Sequence, residues 1–151
     1  MTTQATTGIQ RSTVIDAPIE RVFRYYSDPE KLPEIWPSFV EARDVTRSAD
    51  GWPQEFAWTY KMAGMKLEGR TVNVEFEPNR RYVAESKGGI DSRIETTFEA
   101  QDGKTRVTDD IQYHVPVPLL GRMAERVLAK LNENELATIH ANLKARMEAE
   151  E

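Results

Sequence analysis

Two histidines, His114 and His140, are the only imidazoles in a chain of 151 residues that contains no cysteine. Thiolate nucleophiles, iron–sulfur clusters and cysteine-ligated zinc are therefore excluded. Neither histidine begins a metal-ligand pattern, no Ser/His/Asp signature is present, and the glycines fall at turn signals rather than in a phosphate-cradling loop. His140 has Leu136 and Leu143 at helical spacing beside it, which reads as a satisfied or half-exposed structural side chain rather than a base. The groups left for acid–base work are Asp109, Glu135, Tyr60, Tyr113 and Arg70. A cyclisation or dehydration would need an acid and a base from such a set beside a bound substrate, with pKa values shifted by burial. Their spacing carries no catalytic signature, so no residue is assigned as catalytic, and no metal or cofactor is called for.

These groups are positioned by elements that the pattern defines. A first strand runs from Ile9 to Ile15, and Asp16-Ala17-Pro18 opens a helix carrying Ile19, Val22, Phe23 and Tyr26. Asp28-Pro29 opens a second, very short helix that Pro33 and Pro37 stop. From Phe39 to Val115 the period is two, punctuated by Asp50-Gly51, Ala63-Gly64, Pro78-Asn79, Gly88-Gly89 and Asp102-Gly103, which spells an antiparallel meander. After Val115-Pro116-Val117-Pro118 a helix of roughly 30 residues, about 45 Å long at 1.5 Å per residue, runs from Leu119 to about Glu148.

Alternation assigns one continuous apolar face containing Trp58, Tyr60, Val72, Val74, Phe76, Ile94, Phe98 and Ile111. If Asp102-Gly103 is a two-residue hairpin turn, Gln101 pairs with Lys104. Phe98 then faces Val107, Ile94 faces Ile111 and Ile90 faces Val115, and the same register places Thr96 opposite Asp109 and Ser92 opposite Tyr113 on the inner face. A three-residue loop at Ala63-Gly64-Met65 would bring Arg70 opposite Trp58, within cation–π reach. On the long helix, Glu135 lies between two apolar stripes, close to Leu128, Leu131 and Ile139, and so either faces the enclosed side or its rim or is turned to solvent by a bend of the helix.

Length and charge narrow the classes further. The chain is one domain from 1 to 151, with residues 1–8 expected as a disordered tail, and can bury roughly 68–70% of its unfolded surface without a staple. With 20 Lys+Arg against 25 Asp+Glu, scattered rather than clustered, the formal charge is -5 and nucleic acid is not an expected partner. No apolar run reaches the ~18–20 residues of a membrane span and the polar start lacks signal-peptide regions, so stable membrane insertion is not expected and a cytoplasmic location is.

The segment STVIDAPIERVFRYYSDPEKLPEIWP (12–37), with DGKTRVTDDIQYHVPVPLLGRM (102–123) and NLKARMEAE (142–150), resembles the START-like or SRPBCC helix-grip superfamily, in its bacterial polyketide-cyclase/dehydrase and lipid-transport branch. The resemblance implies an α+β helix-grip fold: an antiparallel sheet of about seven strands wrapped around one long C-terminal helix, with two short helices after the first strand. It also implies a cavity between sheet and helix. The binding candidates for that cavity are Trp58, Tyr60, Arg70, Val72, Val74, Ile94, Thr96, Phe98, Asp109, Ile111, Tyr113, Leu128, Leu131 and Glu135. Binding or transport of an apolar or amphipathic small molecule, such as a lipid, quinone or polyketide-like compound, is the expected function, by a monomer or weak homodimer. A polyketide aromatase/cyclase or dehydratase and a ligand-free interaction module are the alternatives.

Overall fold

The computed structural model describes the backbone of residues 6–62, 64–88, 91–114 and 121–149, and their side chains except at 6, 7, 62, 65, 114 and 121–131. Strand β1 (Thr6–Ile15) leads into helix α1 (Ile19–Tyr26) and a 3-10 helix (Pro29–Glu34). Strands β2 (Phe39–Arg47), β3 (Pro53–Met62), β4 (Met65–Glu77), β5 (Arg81–Gly88), β6 (Asp91–Gln101) and β7 (Lys104–His114) follow, and helix α2 (Gly121–Ala149) ends the chain. The strands form one antiparallel sheet in the order β1-β7-β6-β5-β4-β3-β2. This is the helix-grip arrangement expected above, with one difference at the N-terminal end. β1 starts at Thr6, so residues 6–8 are strand rather than tail, because pairing with His114, Tyr113 and Gln112 satisfies their backbone groups. The second short helix is a 3-10 turn, opened by the Asp28 carboxylate accepting from the Glu30 N–H at 3.0 Å and holding Pro33 inside it.

α1 turns Val22, Phe23 and Tyr26 inward. Phe23 is fully buried at the centre of an aromatic cluster, 4.8 Å from Phe98, 5.4 Å from Phe76, 5.5 Å from Trp52 and 6.0 Å from Tyr82, mostly edge to face. Burying such a ring contributes about 1.5–3 kcal/mol. Ile139, Leu143 and Met147 of α2 close the same core. The far face of the sheet is polar: Arg81 bridges Glu75, Glu77 and Glu95, and Arg93 bridges Glu75 and Glu85.

The β6–β7 register is the expected one, with Phe98 opposite Val107, Ile94 opposite Ile111, Thr96 opposite Asp109 and Ser92 opposite Tyr113; the expected Ile90–Val115 pair lies outside the described residues. The β3–β4 register is not the expected one. Met62 pairs with Met65, leaving two residues in the connection instead of three, and Gly64 takes the left-handed conformation (φ 79°) that this tight turn requires. Because side chains alternate, a one-residue slip reverses the assignments on β4 as far as Val74. Trp58 therefore faces Gly69, while Arg70 pairs with Ala57 on the outer face and donates twice to the Glu55 carboxylate, at 2.7 and 3.0 Å. Val72 and Val74 are likewise outside, 41% and 47% exposed, and Thr71 and Asn73 take the inner positions expected for them. A bulge between Asn73 and Glu75 then returns Phe76 to the core.

Candidate functional site

Between the sheet and α2 lies a half-open cavity of about 170 Å³. One wall is an aromatic corner from the segment after the 3-10 helix and the β2–β3 hairpin: Trp36, Phe39, Phe56, Trp58 and Tyr60. Trp36 stands 5.8 Å from Tyr60 at 82°, and Trp58 stands 6.3 Å from Tyr60 at 79°. The opposite strands contribute Ile9, Ile94, Ile111 and Tyr113, and α2 supplies Glu135, Leu136 and Ile139. Gly69 allows Trp58 to lie flat over β4, since a Cβ there would stand 2.3 Å from Trp58 Cζ2.

Glu135 is the polar centre of the aromatic corner. The Trp36 indole N–H donates to Oε1, the Tyr60 hydroxyl donates to the same oxygen at 2.7 Å, and the Ser38 hydroxyl donates to Oε2 at 2.5 Å. All three donors are neutral. Burial, reinforced by the bond to Glu135, pushes the Tyr60 hydroxyl above its ordinary pKa of 10.0.

A second carboxylate, Asp109, sits deeper and is 1% exposed. Oδ1 accepts from the Thr96 hydroxyl at 2.5 Å, and Oδ2 accepts from the Tyr26 hydroxyl at 2.5 Å and contacts His140 Nε2 at 2.7 Å. His140 Nδ1 lies 2.8 Å from the Thr13 hydroxyl, so both ring nitrogens are engaged. Burial pushes the Tyr26 and Tyr82 hydroxyls well above 10.0, and the nearby Asp109 charge adds to both shifts.

These three tyrosines set an alkaline limit. A phenol whose folded pKa exceeds its unfolded value gives stability that is fully present below pH 10 and is lost as pH climbs through the folded value, because the unfolded chain releases its proton first. Urea denaturation above about pH 10 should show stability falling by up to ~1.4 kcal/mol per pH unit for each such tyrosine. A flat profile would contradict the placement of Tyr26, Tyr60 and Tyr82.

Of the expected site residues, the cavity gathers Trp58, Tyr60, Ile94, Thr96, Asp109, Ile111, Tyr113 and Glu135. Phe98 is on the inner face but is packed into the Phe23 and Tyr82 cluster, 3% exposed, and does not line the cavity. Arg70, Val72 and Val74 are on the outer face for the reason given above. Leu128 and Leu131 lie on α2, and their side chains are outside the described residues. Sequence reasoning missed Tyr26, Trp36, Ser38 and the bond between His140 and Asp109. Tyr26 had a signal in its helical spacing from Val22 and Phe23. Trp36, between Pro33 and Pro37, belongs to no periodic element. Among the described residues no group of His, Asp and Glu could hold a metal ion, and no helix is long and apolar enough to cross a membrane.

A sequence profile described as polyketide cyclase / dehydrase and lipid transport matches residues 6–148. No curated protein matches the chain. Solved structures share the fold at low identity. A protein of Thermus thermophilus has a TM-score of 0.81 at 20% identity, covering 95% of this chain and 98% of its own. The Zhui aromatase/cyclase from Streptomyces has a TM-score of 0.80 at 12% identity, covering 95% and 94%. A START superfamily protein from Mycobacterium smegmatis has a TM-score of 0.78 at 18% identity, covering 94% and 97%.

Proposed function

The chain belongs to the polyketide cyclase / dehydrase and lipid transport family, and on that premise we propose that it binds or carries an apolar or amphipathic small molecule in the cavity between sheet and α2. The observation that carries this reading is the cavity itself: a concave, half-open, mainly apolar space with a few placed polar groups is the general form of a ligand site. An interaction module would have filled it with side chains.

The cyclase reading finds less support, although one structural neighbour is an aromatase/cyclase. Asp109 already has three partners and is closed off from solvent, and Tyr26 is held far from the pKa a proton donor needs at neutral pH. A cytoplasmic, monomeric or weakly dimeric carrier is part of the proposal.

Ala84 lines the cavity between Asn73 and Ile94 in register. Ala84→Leu should cost about 1–3 kcal/mol of stability through overpacking and should lower uptake of a fluorescent naphthyl probe severalfold. Uptake equal to that of the unaltered protein would place the probe elsewhere and overturn the reading. Incubation with a poly-β-ketone should give the same cyclised products at the same rate as without the protein; faster cyclisation or a changed regiochemistry would establish the enzyme reading instead.

A further inference from the structure

We propose that the ligand is an organic cation, a protonated or quaternary amine on a body of about one ring, held with its positive charge against Glu135 inside the aromatic corner. This rests on the binding reading above and names its ligand class. Among the described residues the cavity wall carries two carboxylates, Asp109 and Glu135, and no lysine or arginine. Asp109 has His140 beside it, at 2% and 1% side-chain exposure respectively. Among the described residues Glu135 has only neutral donors: the Trp36 indole, the Ser38 hydroxyl and the Tyr60 hydroxyl. Glu135 is half-buried; three neutral hydrogen bonds orient its carboxylate but do not balance its charge, and an opposite charge brought next to it on the cavity side is attracted more strongly than in bulk water.

The surrounding rings point to the same ligand. Trp36 and Tyr60, which both hold that carboxylate, meet nearly at right angles, and Trp58 stands edge to face with Tyr60. These contacts are edge to face, and any ring face left toward the cavity adds a cation–π attraction for an ammonium group beside Glu135. Arg70, which could have received an anionic ligand, is instead outside the sheet and paired with Glu55.

A second, independent feature is an unpaired polar group of the cavity wall. Tyr113 is 3% exposed and lines the cavity, yet its hydroxyl has no hydrogen-bond partner among the described residues. A buried hydroxyl left unpaired costs free energy that a ligand oxygen or N–H recovers. The cavity of about 170 Å³ compares with about 150 Å³ for an apolar cavity that holds benzene. The ligand body inside is therefore about one ring, with longer substituents leaving through the open side.

The test uses three near-isosteric probes with the full chain: phenethylamine, 2-phenylethanol and phenylacetate, titrated calorimetrically at neutral pH. The amine should bind at least about tenfold tighter than the alcohol, and the carboxylate weakest. In Glu135→Gln the amine-to-alcohol ratio should fall toward one. Tyramine should exceed phenethylamine in the unaltered protein, and that gain should vanish in Tyr113→Phe. Alcohol or carboxylate binding as tight as the amine would overturn the cation assignment while leaving the cavity as a binding site. Failure of all three probes to bind would overturn the cation assignment, while absence of naphthyl-probe uptake as well would overturn the binding reading with it.

Discussion

Asp109→Ala is expected to lower the free energy of unfolding by about 3–5 kcal/mol, the usual cost of removing one member of a buried, hydrogen-bonded charge set. The carboxylate is shared by Tyr26, Thr96 and His140, which are brought to it from α1, β6 and α2. Deleting it strands two hydroxyls and an imidazole nitrogen where water does not reach, and each unsatisfied buried group costs about 1–3 kcal/mol. Asp109→Asn should be milder, near 1–3 kcal/mol, since an amide keeps the shape and one acceptor. Urea denaturation of the two variants measures the difference. A loss below about 1 kcal/mol for alanine would mean that this network does not hold α1, the sheet and α2 together.

The second large effect is expected at Gly69. An added Cβ would lie 2.3 Å from Trp58 Cζ2, 2.8 Å from Cη2 and 2.5 Å from the Lys87 carbonyl oxygen. The indole could swing away, but the carbonyl belongs to the paired strand, where Gly69 is opposite Gly88, so the backbone must also give. Gly69→Ala should therefore cost about 3 kcal/mol, the upper part of the overpacking range, and lower Tm by roughly 6–12 °C for a domain of this size. Trp58 would be pushed toward Tyr60 into the aromatic corner, so naphthyl-probe uptake should fall with stability. A thermal melt within 2 °C of the unaltered protein, well under that range, would show that Trp58 does not rest on Gly69.

The contrast between two hairpins explains which parts of this architecture were legible in the sequence. At Asp102-Gly103 the turn type is written in the residues, and three apolar pairs agree with it, so the inward positions of Thr96, Asp109 and Tyr113 followed. At Ala63-Gly64 the alternation of Glu68, Arg70, Val72 and Val74 offered apolar residues on the wrong parity, and hydrophobicity favoured the wrong register. The inner residues there are Gly69, Thr71 and Asn73, small or polar because Trp58 and the cavity occupy the space above them. The bulge that returns Phe76 inward left no local signal at Val74. Glu135 could be placed by helix angle. Its partners Trp36 and Ser38 could not, because they lie in the non-periodic stretch after Pro33.

The strand order has a consequence for the time course of folding. Every pairing from β2 to β7 joins neighbours in sequence, whereas β1 reaches across almost the whole meander to pair with β7. The entropy of closing a long chain segment falls on that one pairing, and non-local contacts of this kind are the slow ones. The meander can zip from hairpin to hairpin, with β1 and the Thr13 that steadies His140 arriving last. In pulse-labelled amide exchange during refolding, β6 and β7 should gain protection before β1; simultaneous protection would show that the ends of the chain meet early.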